Sequence, residues 1–194
     1  MPKIEAATVA EHRAMKARQV IDAAVDLLVG EGPSAVTPAA VAERTGLART
    51  SVYQYAGSTA ELVAAAVEAL FVRATTELSE AVAAAGEDPG ERIAAIVRTV
   101  LLGAKSGHSP NHALEVEQLP IDQRERLGQL HRALMAPLID AIADAGDPDP
   151  PTTAALAWGA INGVIPLVEH GMPVAVAAER AVAFVGAGVR RTPA

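Results

Sequence analysis

The sequence predicts an all-α protein, on three observations. Apolar residues recur at helical spacing through most of the 194 residues, no stretch of useful length alternates as a strand would, and Thr37 to Tyr55 (TPAAVAERTGLARTSVYQY) reads as two short helices joined by a glycine turn. Such a helix-turn-helix at the end of a leading helix predicts an N-terminal three-helix domain, residues 1–57. A larger helical domain, residues 58–194, is predicted to follow it.

Taken in order, residues 1 to about 8 form a tail, and Val9 to Glu31 form one helix with Val20, Ile21, Ala24, Leu27 and Leu28 on one side. Arg13, Lys16 and Arg18 cluster near its start, either as a solvated face or within reach of backbone phosphates. Gly30, Gly32 and Pro33 end this helix. Thr37 is suited to N-cap the next one and Pro38 to open it, because a first-turn residue needs no N–H. That helix ends near Thr45, and Gly46 makes the turn. Val41, Ala42, Leu47 and Val52 fall where the two short helices pack, and small Ala42 permits close approach at a steep crossing. The second helix then carries Arg49, Thr50, Ser51, Tyr53, Gln54 and Tyr55 outward, starting from Ala48, with no acid among them. A guanidinium fork, hydroxyls, an amide and phenols suit a major groove lined with phosphates.

Past Gly57, Ser58 and Glu61 have the spacing of a capping box, and the pattern Leu62, Ala66, Ala69, Leu70, Phe71 extends a helix to about Ala85. Gly86 to Gly90 reads as a loop. Arg92 to Ala104 buries Ile93, Ile96, Val97, Val100 and Leu101. Lys105 to Asn111 is irregular, a short helix is expected at His112 to Leu119, and Pro120 starts a longer one to about Ala145 with Leu127, Leu130, Leu134 and Leu138 inward. Pro137 is a potential kink. DAGDPDPP, Asp144 to Pro151, is the clearest loop, before helices over Thr152 to His170 and Pro173 to Val189. Ala155, Gly159 and Gly163 form a small-residue row on the first of these, and Ala178, Val182, Val185 and Val189 a row on the second. Rows of this kind serve either packing within one core or pairing of two copies about a two-fold axis.

Composition narrows the function classes. The chain has no cysteine, which excludes disulfides, thiolate zinc sites and cysteine nucleophiles and fits a reducing, cytoplasmic setting. MPKIEAATVAEH lacks the apolar core of a secretion signal. The longest apolar run, Ala154 to Val168, is shorter than the roughly 18 residues of a membrane span and contains Trp158, Asn162 and Pro166, so a buried helix without membrane contact is expected. Net charge is −7, yet residues 1–60 hold six Lys/Arg and six Asp/Glu, so the whole excess of acid lies beyond them. A neutral N-terminal domain of this kind is expected to bind non-specific DNA weakly and to release it readily in salt.

The run VAERTGLARTSVYQY, with IDAAVDLLVGEG (Ile21 to Gly32) before it and STAELVAAAV (Ser58 to Val67) after it, resembles the TetR-type family of transcription regulators over the first third of the chain. Ala56 and Thr59 stand where that family usually has Phe and Lys, so a phosphate contact from that lysine is not carried over. The resemblance implies an effector-binding and dimerisation role for residues 58–194, with pairing through the last two helices as a four-helix bundle. It implies double-stranded operator DNA as partner, contacted from Thr37, Ala48, Arg49, Thr50, Ser51, Tyr53, Gln54 and Tyr55. It further implies an effector cavity among the middle helices, for which Phe71, Leu101, His112, Glu115, Met135, Trp158 and Asn162 are candidates. With so few aromatics that cavity would be lined by Leu, Val, Ile and Ala, favouring a small, largely apolar effector.

Catalysis has no candidate constellation. His108 and His112 are four apart but separated by Ser109 and Pro110, which disfavours one continuous helix and a metal pair. Glu115 and Glu117 cannot share a helix face, and His131, beside the Leu127 and Leu134 stripe, reads as a helix-edge histidine. The expected function is therefore a homodimeric repressor released from a palindromic operator by its effector, with no enzyme activity, cofactor or metal. An all-helical small-molecule-binding module without a DNA role is the alternative.

Overall fold

A computed structural model describes residues 9–106 and 121–189, and among these residues every regular element is helical. The elements are α1 (Val9–Glu31), a 3-10 turn (Pro33–Ala35), α2 (Pro38–Thr45), α3 (Arg49–Val52), α4 (Thr59–Ala84), α5 (Pro89–Lys105), α6 (Ile121–Asp144), α7 (Pro150–Glu169) and α8 (Val174–Val189). The expected helix at His112 to Leu119 lies outside the described residues, as do His108, Glu115 and Glu117.

Packing divides the chain into two compact units, one reaching Ala69 and the other starting at Leu70. In the first, α1 packs on the 3-10 turn and on α2, and α2 packs on α3. Val20, Ala24, Leu27 and Leu28 of α1 meet Val36, Val41, Ala42, Val52, Leu62 and Ala66 as the buried apolar residues. Leu47, expected in that packing, is half-buried.

In the second unit α5 is the hub, packing on α6, α7 and α8. Its buried residues Ile93, Ala94, Ile96, Val97, Leu101 and Ala104 recur every three or four positions, so one helix face fills the centre while Val100 remains half-buried. Two stretches read as loops turn out to start helices. Asp88 N-caps α5, its carboxylate accepting from the Glu91 N–H at 2.9 Å, so Pro89 and Gly90 are already helical. Asp149 likewise caps α7, accepting from the Thr152 N–H at 3.4 Å, which makes Pro150 and Pro151 its first residues. All three prolines occupy the first helical turn, where a missing N–H costs nothing. Buried Asp147 braces the same corner, accepting from the Asp149 N–H at 2.9 Å and from the Thr153 hydroxyl at 3.0 Å. Arg92 closes the other side, donating to the Gly86 carbonyl at 2.7 Å and pairing with Asp144 at 2.8 Å.

The row expected on α8 is used differently. Ala178 and Val185 are buried and Val182 is half-buried, because this face packs within the unit against α5 and α7. The large apolar residues α8 leaves exposed are Val176 and Phe184, the latter 70% exposed. The row on α7 behaves otherwise: Ala155, Gly159 and Gly163 are exposed, and a Cβ built on either glycine would meet nothing within 4 Å. Leu156 and Leu167 flank them, also exposed. By length and composition α7 could cross a membrane, but Ala154, Ala157, Trp158, Ile161, Ile165 and Val168 on its other side are buried in the unit. Leu130, expected to point inward on α6, is half-buried.

Candidate nucleic-acid interface

The helix-turn-helix is assembled by local devices that the residue types dictate. Thr37 sits in extended backbone, and its hydroxyl accepts from the Ala40 N–H at 3.2 Å, capping α2 one residue before Pro38. Gly46 ends α2 at φ 68°, in the left-handed region that disfavours a side chain. Thr45 turns its hydroxyl back to the Val41 carbonyl at 2.7 Å, while its own carbonyl accepts from the Gln19 carboxamide at 3.1 Å. Gln19 therefore ties α1 to the end of α2. Lys16 is held in turn, donating to Gln19 Oε1 at 3.1 Å.

The expected recognition helix is shorter than its residues suggested. After Val52 the chain tightens, with Gln54 N–H donating to Ser51 O at 3.1 Å and Tyr55 N–H to Val52 O at 2.9 Å, the three-residue spacing of a 3-10 turn. Val52, fully buried, anchors this segment, and Ala56 is buried just beyond it. Ala48, Arg49, Thr50, Tyr53 and Gln54 are exposed, whereas Thr37, Ser51 and Tyr55 are half-buried. Tyr53 is 41% exposed, so its hydroxyl can reach outward while part of its ring packs. Arg49 has no hydrogen-bond or ion-pair partner among the described residues. Arg44, by contrast, pairs with Glu31 at 2.7 Å, both side chains largely exposed, a contact worth little in water.

The helix that follows is capped by its own side chains. Ser58 Oγ accepts from the Glu61 N–H at 3.1 Å and Glu61 accepts from the Gly57 N–H at 2.9 Å. The capping box is therefore formed, shifted so that the carboxylate takes the N–H preceding the cap.

The effector candidates separate in the second unit. Phe71, Leu101, Met135 and Trp158 are buried, and Asn162 is half-buried one turn beyond Trp158. His112 and Glu115 lie outside the described residues. A residue assigned to the helix edge turns out to join two of the candidates: His131 of α6 stands between Phe71 of α4 and Trp158 of α7, with ring centroids at 6.4 and 6.5 Å and interplanar angles of 78° and 80°. Its spacing from Leu127 and Met135, one turn to either side, was the sequence signal that could have found it. Among the described residues no group of three or more His, Cys, Asp or Glu is placed to hold a metal.

A leading helix, a capped α2, a glycine turn and an outward polar segment without acids form a helix-turn-helix. Through residues 20–66 the chain matches the family model of the bacterial regulatory proteins of the tetR family. Its fold is similar to that of a Rhodococcus sp. RHA1 transcriptional regulator (TM-score 0.78, 19% identity, 90% of this chain and 96% of that one). It is also similar to the fatty acid degradation regulator FadR from Bacillus halodurans (0.74, 15%, 91% and 97%). FadR from Bacillus subtilis, solved in complex with stearoyl-CoA, is a further fold relative (0.73, 15%, 88% and 98%). No match was found among curated proteins.

Proposed function

We propose that the chain is a cytoplasmic, homodimeric repressor that binds an inverted-repeat operator and is released from it by a small, largely apolar effector. The observation that carries the DNA side is the acid-free segment Ala48 to Tyr55, which exposes Ala48, Arg49, Thr50, Tyr53 and Gln54 and whose Arg49 has no partner among the described residues. Residues 1–57 supply the DNA-binding part, with Thr37, Ala48, Arg49, Thr50, Ser51, Tyr53, Gln54 and Tyr55 as its contacts, and residues 58–194 bind the effector and pair the subunits. One such segment reads only a few base pairs, so two are needed, with half-site centres about one helical turn apart, ~34–36 Å, or somewhat more.

The exposed apolar face of α7 with Val176 and Phe184 of α8 is the proposed seam, the bare surface over Gly159 and Gly163 leaving room for the partner's backbone. The effector binds among the middle helices, with Phe71, Leu101, Met135, Trp158 and Asn162 as lining candidates alongside His112 and Glu115. It favours a dimer whose recognition segments are wrongly spaced, so operator affinity falls by its preference for that state. The stearoyl-CoA bound to one fold relative supports an effector with a long apolar part. Selection of bound sites from random DNA tests the reading: a two-fold symmetric consensus with steep salt dependence is expected, and absence of any sequence preference would refute it.

A further inference from the structure

Of the basic residues near the start of α1, Lys16 alone is tied to another helix. Half-buried, it donates to Gln19 Oε1 at 3.1 Å, and the nitrogen of the same amide donates to the Thr45 carbonyl at 3.1 Å. Only Gly46 and Leu47 separate Thr45 from Ala48, where the recognition segment begins. One carboxamide therefore fixes a positive charge beside the turn from which that segment departs. No acid stands three or four positions from Lys16 on α1, where His12, Arg13, Gln19 and Val20 are its neighbours, and it forms no ion pair among the described residues. Arg18 is placed differently. It is exposed, Asp22 follows one turn on, and both line a shallow groove with Asp26.

An ammonium carries three N–H donors, and Gln19 takes one, so Lys16 can hold an outside acceptor without giving up its place. Its side chain is already ordered by the protein, which lowers the entropy lost when that acceptor binds. Val20, one turn on along the same face, is fully buried, so Lys16 stands where the packed face of α1 emerges from the core. The acid-free segment from Ala48 belongs to the same compact unit. A fixed cation beside such a segment complements a phosphate backbone.

We propose that Lys16 is a further DNA contact, a phosphate anchor supplied by α1 and positioned by Gln19. The inference rests on the DNA reading above, and deepens it by adding a backbone contact from outside the helix-turn-helix. Arg18, its charge balanced by Asp22 and Asp26, has no such role. The alternative is a lysine that only braces the end of α2, where the helix dipole favours a cation. That role requires no change in the salt dependence of DNA binding.

The test follows binding of the full-length protein to a duplex of the selected consensus and to a scrambled duplex of the same length, by fluorescence anisotropy across a salt series. Lys16→Met keeps the stem and removes the charge. It is expected to weaken both duplexes by a similar factor, on the order of tenfold at low salt, and to lower the slope of log affinity against log salt by ~2 for a dimer, one contact per subunit. Arg18→Met removes an equal charge two residues away and is expected to leave the slope near the parent's, as is Lys16→Arg, which keeps a cation. Gln19→Leu is expected to weaken binding in the parent and much less in the Lys16→Met background, because the two residues act on one contact. Lys16→Gln carries the test if Lys16→Met is not helical by circular dichroism. An unchanged slope in the folded Lys16 variant, equal slope losses for Lys16→Met and Arg18→Met, or additive losses with Gln19→Leu would overturn the proposal. A parent protein that binds neither duplex would refute the DNA reading itself, and this contact with it.

Discussion

The Gln19 carboxamide donates to the Thr45 carbonyl at 3.1 Å, joining the middle of α1 to the last residue of α2. The bond satisfies one of the carbonyls a helix end leaves over, and fixes the turn from which the recognition segment departs. Gln19→Ala is expected to cost ~0.5–1.5 kcal/mol of stability. A lowered urea midpoint at unchanged slope would show it, and an unchanged midpoint would mean water replaces the amide without loss.

Thr37 offers a second local test. Its hydroxyl caps α2 at the Ala40 N–H, so Thr37→Ala should destabilise by ~0.5–2 kcal/mol while Thr37→Ser stays near the parent. Equal losses for both in thermal melts would point to the methyl group's packing instead.

Arg49, exposed and without a partner among the described residues, is expected to read a base edge, most simply guanine through its two-pronged guanidinium. Arg49→Ala should cost ~1–3 kcal/mol of operator binding and relax preference at one position. Uniform weakening across a panel of single-base operator variants would reassign it to a phosphate.

Tyr53 is the cleaner phosphate probe because Tyr53→Phe removes only the hydroxyl. Operator affinity is expected to drop with little change in sequence preference. Tyr55, half-buried, should lose less DNA affinity on the same change. Unaltered affinity in the Tyr53 variant would leave that ring a purely structural part.

Assembly is tested at the glycine row. Gly163→Arg puts volume and charge on the exposed face of α7, and Phe184→Glu puts a charge on that of α8. Both are expected to be helical monomers in light scattering that have lost operator binding. Dimers with parent affinity would move the two-fold axis elsewhere.

Much of the fold is written locally. Thr37 before Pro38, Gly46 after Thr45, and Ser58 ahead of Glu61 each fix a helix end through bonds that span a few residues, so α2 and the start of α4 could be read directly from residue types. The same chemistry sits in Asp88-Pro89 and Asp149-Pro150, where aspartate caps the helix that proline opens. There the prolines read as loop from residue types alone, and the outcome turns on whether the aspartate folds back. Which face of α8 is buried was not legible, because Ala178, Val182, Phe184 and Val185 make it apolar on several sides. Periodicity identifies an inner face only when the outer one is polar. The packing of α8 on α5 and α7 settled it, taking Ala178 and Val185 inward and leaving Phe184 out. The meeting of His131 with Phe71 and Trp158 was likewise decided by tertiary structure. The three residues belong to different helices, and contact between side chains so far apart in the chain depends on how those helices cross, which no local pattern encodes.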